Sequence, residues 1–147
     1  MIKCLHLHTT SSAYFNQVYL STSRQFLMPL ITLASNVPAS RFPSDFNVQF
    51  TELMAKMLGK PTSRILLLVM PNAQLSHGTT ENPSCFTVVK SIGSFSADKN
   101  IEYSSSISEF MKKTLDIDPA HCIIHFLNLD PENVGCNGTT MKELMKK

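Results

Sequence analysis

Two stretches of this chain repeat the same order of apolar segments, and this repetition most restricts how the chain can fold. In each stretch a short apolar run is followed by apolar residues at helical spacing and then by a second apolar run. The first stretch covers residues 30–70 and the second covers residues 85–129. Short apolar runs between turn residues predict strands, and spacing of three or four residues predicts one buried helical face. The pattern predicts two β-α-β units.

In the first unit, strands are predicted over residues 30–34 and 65–70, the second as a buried strand. Ser44 is the expected N-cap of the helix between them, and Gly59 followed by Pro61 is a helix stop signal. The buried face of this helix is expected to carry Phe46, Phe50, Leu53, Met54, Met57 and Leu58.

In the second unit, strands are predicted over residues 85–92 and 121–129. Ser96 is the expected N-cap of the intervening helix, Asp98 lies in its first turn, and Pro119 is expected to end it. The buried face of this second helix is expected to carry Ile101, Ile107, Phe110, Met111 and Leu115.

Two β-α-β units predict an α/β (α+β) fold, in which one four-stranded mixed sheet carries both helices on one face. The other face of such a sheet is then apolar and bare. Self-association is the economical way to cover a patch of this size, so the pattern also predicts an oligomer.

The composition argues against two classes of partner. The 147 residues fit one domain, with 43% hydrophobic and 16% charged residues. The net charge of +2 comes from Lys3 and Arg24, because the other 11 basic and 11 acidic residues cancel. A neutral body argues against a nucleic-acid partner. No apolar run approaches the length of about 18 residues that spans a bilayer, so no membrane partner is expected.

The cysteines and histidines do not form a metal motif. The cysteines contain no C-x-x-C pair and are expected to be reduced thiols in a protein made in the cytosol. They are Cys4, Cys85, Cys122 and Cys136. His121 and His125 would share one face of the last long strand, but no third ligand is evident. No metal and no cofactor are predicted.

Residues 1–28 are expected to be an extension outside the working domain, which would then cover residues 29–147. The first 27 residues are rich in Ser and Thr, contain no acid, and lack the compact apolar core of a secretory signal. An upstream start absent from the working protein is favoured, with a cleaved targeting segment or a retained tail as the alternatives.

The Met28-Pro29 pair decides what chemistry is available. A proline at a true N-terminus is a secondary amine, whereas a proline inside a chain is a tertiary amide without a proton. An α-amino group titrates at about 7.7 to 8.0, and burial or a nearby cation lowers that pKa further. An N-terminal Pro29 would therefore be a neutral base near pH 7.

Several short motifs occur in one order around the doubled pattern. They are Met28-Pro29, Asn36-Val37-Pro38, Gly59-Lys60-Pro61, Ser91-Ile92-Gly93, Asn133-Val134-Gly135 and residues 137–140. With them, residues 28 to about 141 resemble the macrophage migration inhibitory factor and D-dopachrome tautomerase family. Asn36, Asp98, Asn100 and Gly138-Thr139-Thr140 are most similar to nematode-type members.

The resemblance implies a homotrimer with a central channel and an active site at each subunit interface. It implies cofactor-free keto-enol tautomerisation of a small aromatic keto or enol carboxylate of the phenylpyruvate or dopachrome type. The general base would be Pro29, after removal of Met28.

The resemblance also assigns substrate-binding residues. Lys60 would lower the pKa of Pro29 and bind a carboxylate or enolate oxygen, and Arg64 would hold a carboxylate in two hydrogen bonds. Ile92 would supply a backbone N–H and an apolar wall, with Ser91 beside it. A neighbouring subunit would contribute Ile123 and His125, which replace a tyrosine and an asparagine of the migration-factor branch.

The alternative function is a binding module that engages a cell-surface receptor and keeps only a weak catalytic pocket. The resemblance implies a cytoplasmic protein that is secreted by a leaderless route and acts like a cytokine. Ala39 and Asn72 occupy two receptor-contact positions of the migration-factor branch, and both are uncharged here.

Overall fold

Four strands form one mixed sheet in the computed structural model, which describes residues 28–146. These strands are β1 (Leu30–Ser35), β2 (Leu66–Met70), β3 (Cys85–Ser91) and β4 (Cys122–Asn128), and their order across the sheet is β2-β1-β3-β4. β1 is parallel to β2 and antiparallel to β3, and β3 is parallel to β4. The two predicted units therefore join through β1 and β3, which confirms the α+β fold. Residues 1–27 of the predicted extension lie outside the described residues.

The first helix, α1 (Phe46–Leu58), ends as its sequence predicts. Gly59 has φ 63°, a left-handed conformation that glycine adopts without strain. The amide of Lys60 donates to the carbonyl of Ala55 at 2.9 Å, which closes the helix in a Schellman motif. The predicted N-cap is wrong: Asp45 occupies that position in place of Ser44, because the amide of Phe46 donates to Pro43 in a preceding turn.

The second helix, α2 (Ala97–Leu115), begins at the predicted cap. The hydroxyl of Ser96 accepts from the amide of Lys99, and Asp98 lies in the first turn. The helix ends before Pro119, because Asp116 already adopts a left-handed conformation. The buried positions recur every four residues at Tyr103, Ile107, Met111 and Leu115.

Ile101 was predicted on the buried face of α2, and that prediction is wrong. It lies two residues before Tyr103, which rotates it about 200° from the buried stripe. Its side chain is 70% exposed.

Both helices pack on one face of the sheet. The rings of Phe50 in α1 and Phe110 in α2 stack with centroids 5.3 Å apart. The strands contribute alternate residues to the same core, since successive side chains point to opposite faces. The fully buried large side chains include Ile31, Leu33, Phe50, Met54, Val89, Ile107, Met111 and Ile117.

The opposite face of the sheet is bare, as predicted, and we name it the open face. Its exposed apolar side chains are Leu66, Leu68, Met70, Phe86 and Ile123. The prediction of a buried β2 is wrong, because β2 is an edge strand whose side chains are alternately exposed.

The C-terminal segment folds back onto its own chain. A hairpin of β5 (Gly135–Cys136) and β6 (Thr139–Thr140) turns at Asn137 and Gly138, which both have positive φ. It leads into the short helix α3 (Met141–Leu144). Within residues 28–146, no helix is both long and apolar enough to cross a membrane.

Candidate functional site

Pro29 is buried immediately before β1, at one end of the sheet. Its carbonyl oxygen accepts a hydrogen bond from the amide of Leu66 at 3.0 Å. Leu30 pairs with Lys90 in antiparallel register, which brings Pro29 beside Ser91, the last residue of β3. The start of β1, the start of β2 and the end of β3 therefore meet around Pro29.

Lys60 and Arg64 lie on the segment that approaches this end of the sheet. The Schellman motif at Gly59 fixes the backbone of Lys60. A 3₁₀ turn over Thr62–Arg64 then leads into β2, whose first residue, Leu66, pairs with Leu30 of β1. Both side chains are half-buried. The fold thus places two cations on the stretch that leads to the Pro29 end of the sheet.

A cavity of about 400 Å³ connects Lys60 with the turn that follows β3. Gly93 and Ser94 form one wall, and Lys99 and Glu102 of α2 form another. Lys56 contributes a further cation from α1. Three lysines against one glutamate give this cavity a positive balance, which favours an anionic ligand such as a carboxylate.

Tyr103 also lines this cavity, and it was not predicted as a site residue from the sequence. Its hydroxyl donates to the carbonyl of Ser94 at 3.5 Å. Burial raises the pKa of Tyr103, and the nearby Glu102 carboxylate raises it further. Its four-residue spacing from Ile107 was the signal available in the sequence.

Ser91 and Ile92 are at the Pro29 end of the sheet, but their side chains have neighbours within the chain. The buried hydroxyl of Ser91 hydrogen-bonds the hydroxyl of Ser94 at 2.7 Å, which holds the turn. Ile92 packs against Val134 and Met141 of the C-terminal segment, in a cluster that Cys136 also contacts.

Ile123 and His125 are not near Pro29 within one chain. Both are exposed on the open face of β4, where Ile123 pairs with Phe86 and His125 pairs with Val88. Phe86 pairs with Ala34 of β1, and Ala34 is five residues after Pro29. At about 3.3 Å per residue, Ile123 is roughly 17 Å from Pro29 along the strand direction. A single chain cannot bring these residues into one pocket.

The predicted alignment of His121 and His125 on one strand face is wrong. His121 belongs to a 3₁₀ turn over Pro119–His121, because β4 begins only at Cys122. Its Nδ1 atom lies 3.0 Å from Nδ1 of His77. Within residues 28–146, no group of three or more His, Cys, Asp or Glu side chains is arranged to hold a metal ion.

Comparisons with known proteins agree on one family. The sequence model of the family described as macrophage migration inhibitory factor (MIF) matches residues 28–142. The MIF-like protein mif-2 of Caenorhabditis elegans is 40% identical over 120 residues, which are 82% of this chain and 100% of that protein. Mouse D-dopachrome decarboxylase is 30% identical over 115 residues, 78% of this chain and 98% of that protein. The structure of macrophage migration inhibitory factor from Trichinella spiralis matches with a TM-score of 0.73 and 34% identity, covering 76% of this chain and 98% of that one.

Proposed function

The chain belongs to the macrophage migration inhibitory factor family, and we propose from this premise that it is a cofactor-free keto-enol tautomerase that works as a homotrimer. Its substrate class is a small aromatic keto or enol carboxylate of the phenylpyruvate or dopachrome type. The resemblance to a D-dopachrome decarboxylase supports this class.

The observation that carries the proposal is the position of Pro29. It is buried where two strands begin and a third ends, next to the segment that bears Lys60 and Arg64. A buried amine near cations has a lowered pKa, because both burial and positive charge disfavour its protonated form. This is the environment that a base working near neutral pH requires.

The proposed chemistry requires that the working chain begin at Pro29. While Met28 is attached, the nitrogen of Pro29 is an amide and cannot accept a proton. Residues 1–28 are therefore proposed to be absent from the working protein. Once free, the Pro29 nitrogen removes a proton from the carbon beside the substrate carbonyl. The resulting ammonium then donates this proton to the enolate oxygen, which completes the keto-to-enol conversion.

Two cations and one apolar residue complete the proposed roles within one chain. Lys60 stabilises the negative charge that develops on the enolate oxygen, and Arg64 holds the substrate carboxylate in two parallel hydrogen bonds. Ile92 supplies a backbone N–H and an apolar wall. The hydroxyl of Ser91 acts indirectly, because it holds the turn through Ser94.

The homotrimer is proposed because the open face needs a cover and because Ile123 and His125 lie on it. In the proposed trimer, these two residues of one subunit lie beside Pro29 of its neighbour. An isoleucine makes this part of the pocket apolar, so bulky aromatic substrates with polar ring groups are expected to bind less well than phenylpyruvate.

The test compares the chain that begins at Pro29 with the full 147-residue chain, using the keto-enol conversion of phenylpyruvate. We expect the shorter chain to exceed the full chain by at least about 100-fold in kcat/KM, the usual scale of a general base. Sedimentation of both chains controls for assembly. Equal rates from two intact assemblies would show that the Pro29 amine is not the base.

We propose receptor binding as a second function, because the two receptor-contact positions of the migration-factor branch lie together on the surface. The amide of Ala39 donates to Oδ1 of Asn72 at 3.3 Å, and both residues are exposed. Binding of the purified protein to a receptor ectodomain at micromolar concentration tests this function. A Pro29→Gly variant should bind equally well, whereas no binding by either protein would remove the proposal.

The protein is proposed to be made in the cytosol and to leave the cell by a leaderless route. Intact mass of the natural protein from cells and from medium tests this. The same chain, beginning at Pro29, is expected in both samples. A chain found only inside cells would contradict secretion.

A further inference from the structure

Two histidine rings that are 44 residues apart in the sequence meet at the surface of the fold. His77 lies on the connection between β2 and β3, and His121 lies on the 3₁₀ turn that precedes β4. Their Nδ1 atoms are 3.0 Å apart, their ring centroids are 5.0 Å apart, and their planes are nearly perpendicular at 89°. The nitrogens are closer together than the centroids, so each ring turns its Nδ1 edge toward the other.

Both histidines belong to turns that the backbone holds. His77 and Thr80 exchange two backbone hydrogen bonds of 3.2 Å in a small antiparallel bridge. The hydroxyl of Thr80 also donates to the carbonyl of His77 at 3.2 Å. The amide of His121 donates to the carbonyl of Asp118 at 2.8 Å, and the Asp118 carboxylate caps the same turn by accepting from the amide of Ala120. Hydrogen-bonded turns therefore position the histidine on each of the two segments.

The spacing of the two nitrogens matches two ligands of one metal ion. A transition metal binds an imidazole nitrogen at about 2.0 to 2.1 Å. Two such nitrogens are about 2.9 Å apart when the angle at the metal is about 90°, and about 3.3 Å apart when that angle is tetrahedral. The observed separation of 3.0 Å lies in this range.

The same separation also fits a hydrogen bond in which one ring donates its Nδ1 proton to the other ring. A neutral imidazole carries its one proton on either nitrogen. When the donating ring carries that proton on Nε2, both Nδ1 lone pairs face the space between the rings. A metal ion can then take the place of the shared proton while both rings stay neutral.

The surroundings of the pair favour one class of metal. Both rings line a cavity of about 300 Å³, and among the described residues no Asp or Glu lines it. Calcium and magnesium need several oxygen ligands, whereas imidazole suits copper, nickel and zinc. Water can reach the remaining coordination positions, because His77 is exposed. Cys85 also lines the cavity, but its hydrogen bond to Cys122 and its burial raise its pKa, so it stays a thiol and is not counted as a ligand.

We propose that His77 and His121 form a two-histidine site for a divalent transition-metal ion, with water completing the coordination. The site joins the connection between β2 and β3 to the turn before β4. Within one chain it is distant from Pro29, since Cys85 and Cys122 pair at the starts of β3 and β4 whereas Pro29 lies beside the end of β3. Metal binding at this site does not require the amine of Pro29.

The experiment measures Ni²⁺ binding by titration calorimetry, because Ni²⁺ does not oxidise thiols. The parent is the full chain with Cys4→Ser, His6→Ala and His8→Ala, which removes the other histidine and thiol ligands near its start. We expect one Ni²⁺ per chain and no binding of Ca²⁺ or Mg²⁺. His77→Ala and His121→Ala should each weaken Ni²⁺ binding at least about 10-fold. Combining them should add little, because two ligands of one ion act together.

His125→Ala is the matched control, because His125 is an exposed histidine of β4 that does not line the cavity. It should bind Ni²⁺ with the parent's affinity. Ni²⁺ should also raise the melting temperature of the parent and of His125→Ala, but not that of His77→Ala. In the parent, the ring NMR signals of His77 and His121 should be the first that Ni²⁺ broadens, a readout that needs no variant.

The proposal is overturned if the parent binds no Ni²⁺ at millimolar concentration. It is also overturned if His77→Ala and His121→Ala bind Ni²⁺ as tightly as the parent does.

Discussion

In the proposed tautomerase, catalysis depends on the chemical state of one atom, the nitrogen of Pro29. As part of a peptide bond the nitrogen is inert, and as a chain terminus it is a secondary amine. Pro29 is buried, and the half-buried Lys60 and Arg64 lie on the segment that leads to its end of the sheet. In this proposal, hydrolysis of a single peptide bond separates an inactive site from an active one.

Lys60→Ala should weaken catalysis and move its pH dependence upward. A cation near the Pro29 amine favours the neutral form and lowers the pKa of that amine. Its removal raises the pKa, so activity that needs the neutral amine appears at higher pH. In the chain that begins at Pro29, we expect kcat/KM at pH 7 to fall roughly 10-fold to 100-fold, with the acidic limb shifted up by about one unit.

Lys56→Ala is the matched control, because Lys56 lines the same cavity from the exposed surface of α1. Its pH profile should match that of the parent protein. An unshifted acidic limb in Lys60→Ala would contradict the role assigned to Lys60.

The predicted roles of Pro29 and Lys60 came from motifs, but the direction of the Ser91 side chain could not be predicted in that way. The sequence around Ser91 is the same whether the serine hydroxyl faces a pocket or the core. The alternation of β3 turns it toward the helices, where Ser94 accepts or donates its hydrogen bond. Side-chain direction depends on register, and register is a property of the paired strands.

At the scale of elements, the end of α1 positions the proposed site. Gly59 adopts φ 63°, and the two hydrogen bonds around it redirect the chain toward Lys60 and Arg64. No heavy atom lies within 4 Å of the position that a Cβ would take at Gly59, so a larger residue there would be strained by the backbone alone.

Gly59→Ala should lower the free energy of unfolding by about 1 to 2 kcal/mol, the cost of a left-handed conformation for a residue with a Cβ. The expected fall in melting temperature is at least roughly 4 °C. Gly135→Ala is the control, since Gly135 does not have a positive φ and a Cβ there meets only Thr139 at an ordinary 3.8 Å. Equal losses in the two variants, measured by thermal unfolding, would contradict this explanation.

The bounds of most helices and strands were predictable to within one or two residues. In these elements the spacing of apolar residues in the sequence matches the spacing of buried residues in the structure. The hairpin of β5 and β6 was missed, although Asn137-Gly138 is a strong turn signal. Its strands have two residues each, too few to show an alternating pattern. The pairing of Cys85 with Cys122 was also out of reach, since it depends on the register between two strands.

At the scale of the whole molecule, the open face is the surface through which we propose that the chain assembles. Exposed apolar residues from three strands form one continuous surface, unlike the isolated Val48 and Ile101 on the helices. A large exposed apolar surface of this kind marks an interaction site. The doubled sequence pattern predicted this face, because two right-handed β-α-β units can place both helices on one side of one sheet.

Leu68→Lys should convert the proposed trimer to smaller species. Leu68 is 52% exposed on the open face, and burying a lysine there would leave its charge unpaired. Ile101→Lys is the control, because Ile101 is 70% exposed on α2 and away from that face. Sedimentation should give three times the chain mass for the parent and for Ile101→Lys only. A trimeric Leu68→Lys protein would contradict the assignment of this face.

The most direct test of the central claim is the phenylpyruvate tautomerase rate of Pro29→Gly, measured in the chain that begins at residue 29. Glycine leaves an N-terminal amine but removes the secondary amine and its buried ring. We predict that kcat/KM falls by about 100-fold or more while the sedimentation coefficient stays unchanged. An intact assembly with the parent's rate would show that catalysis does not depend on Pro29.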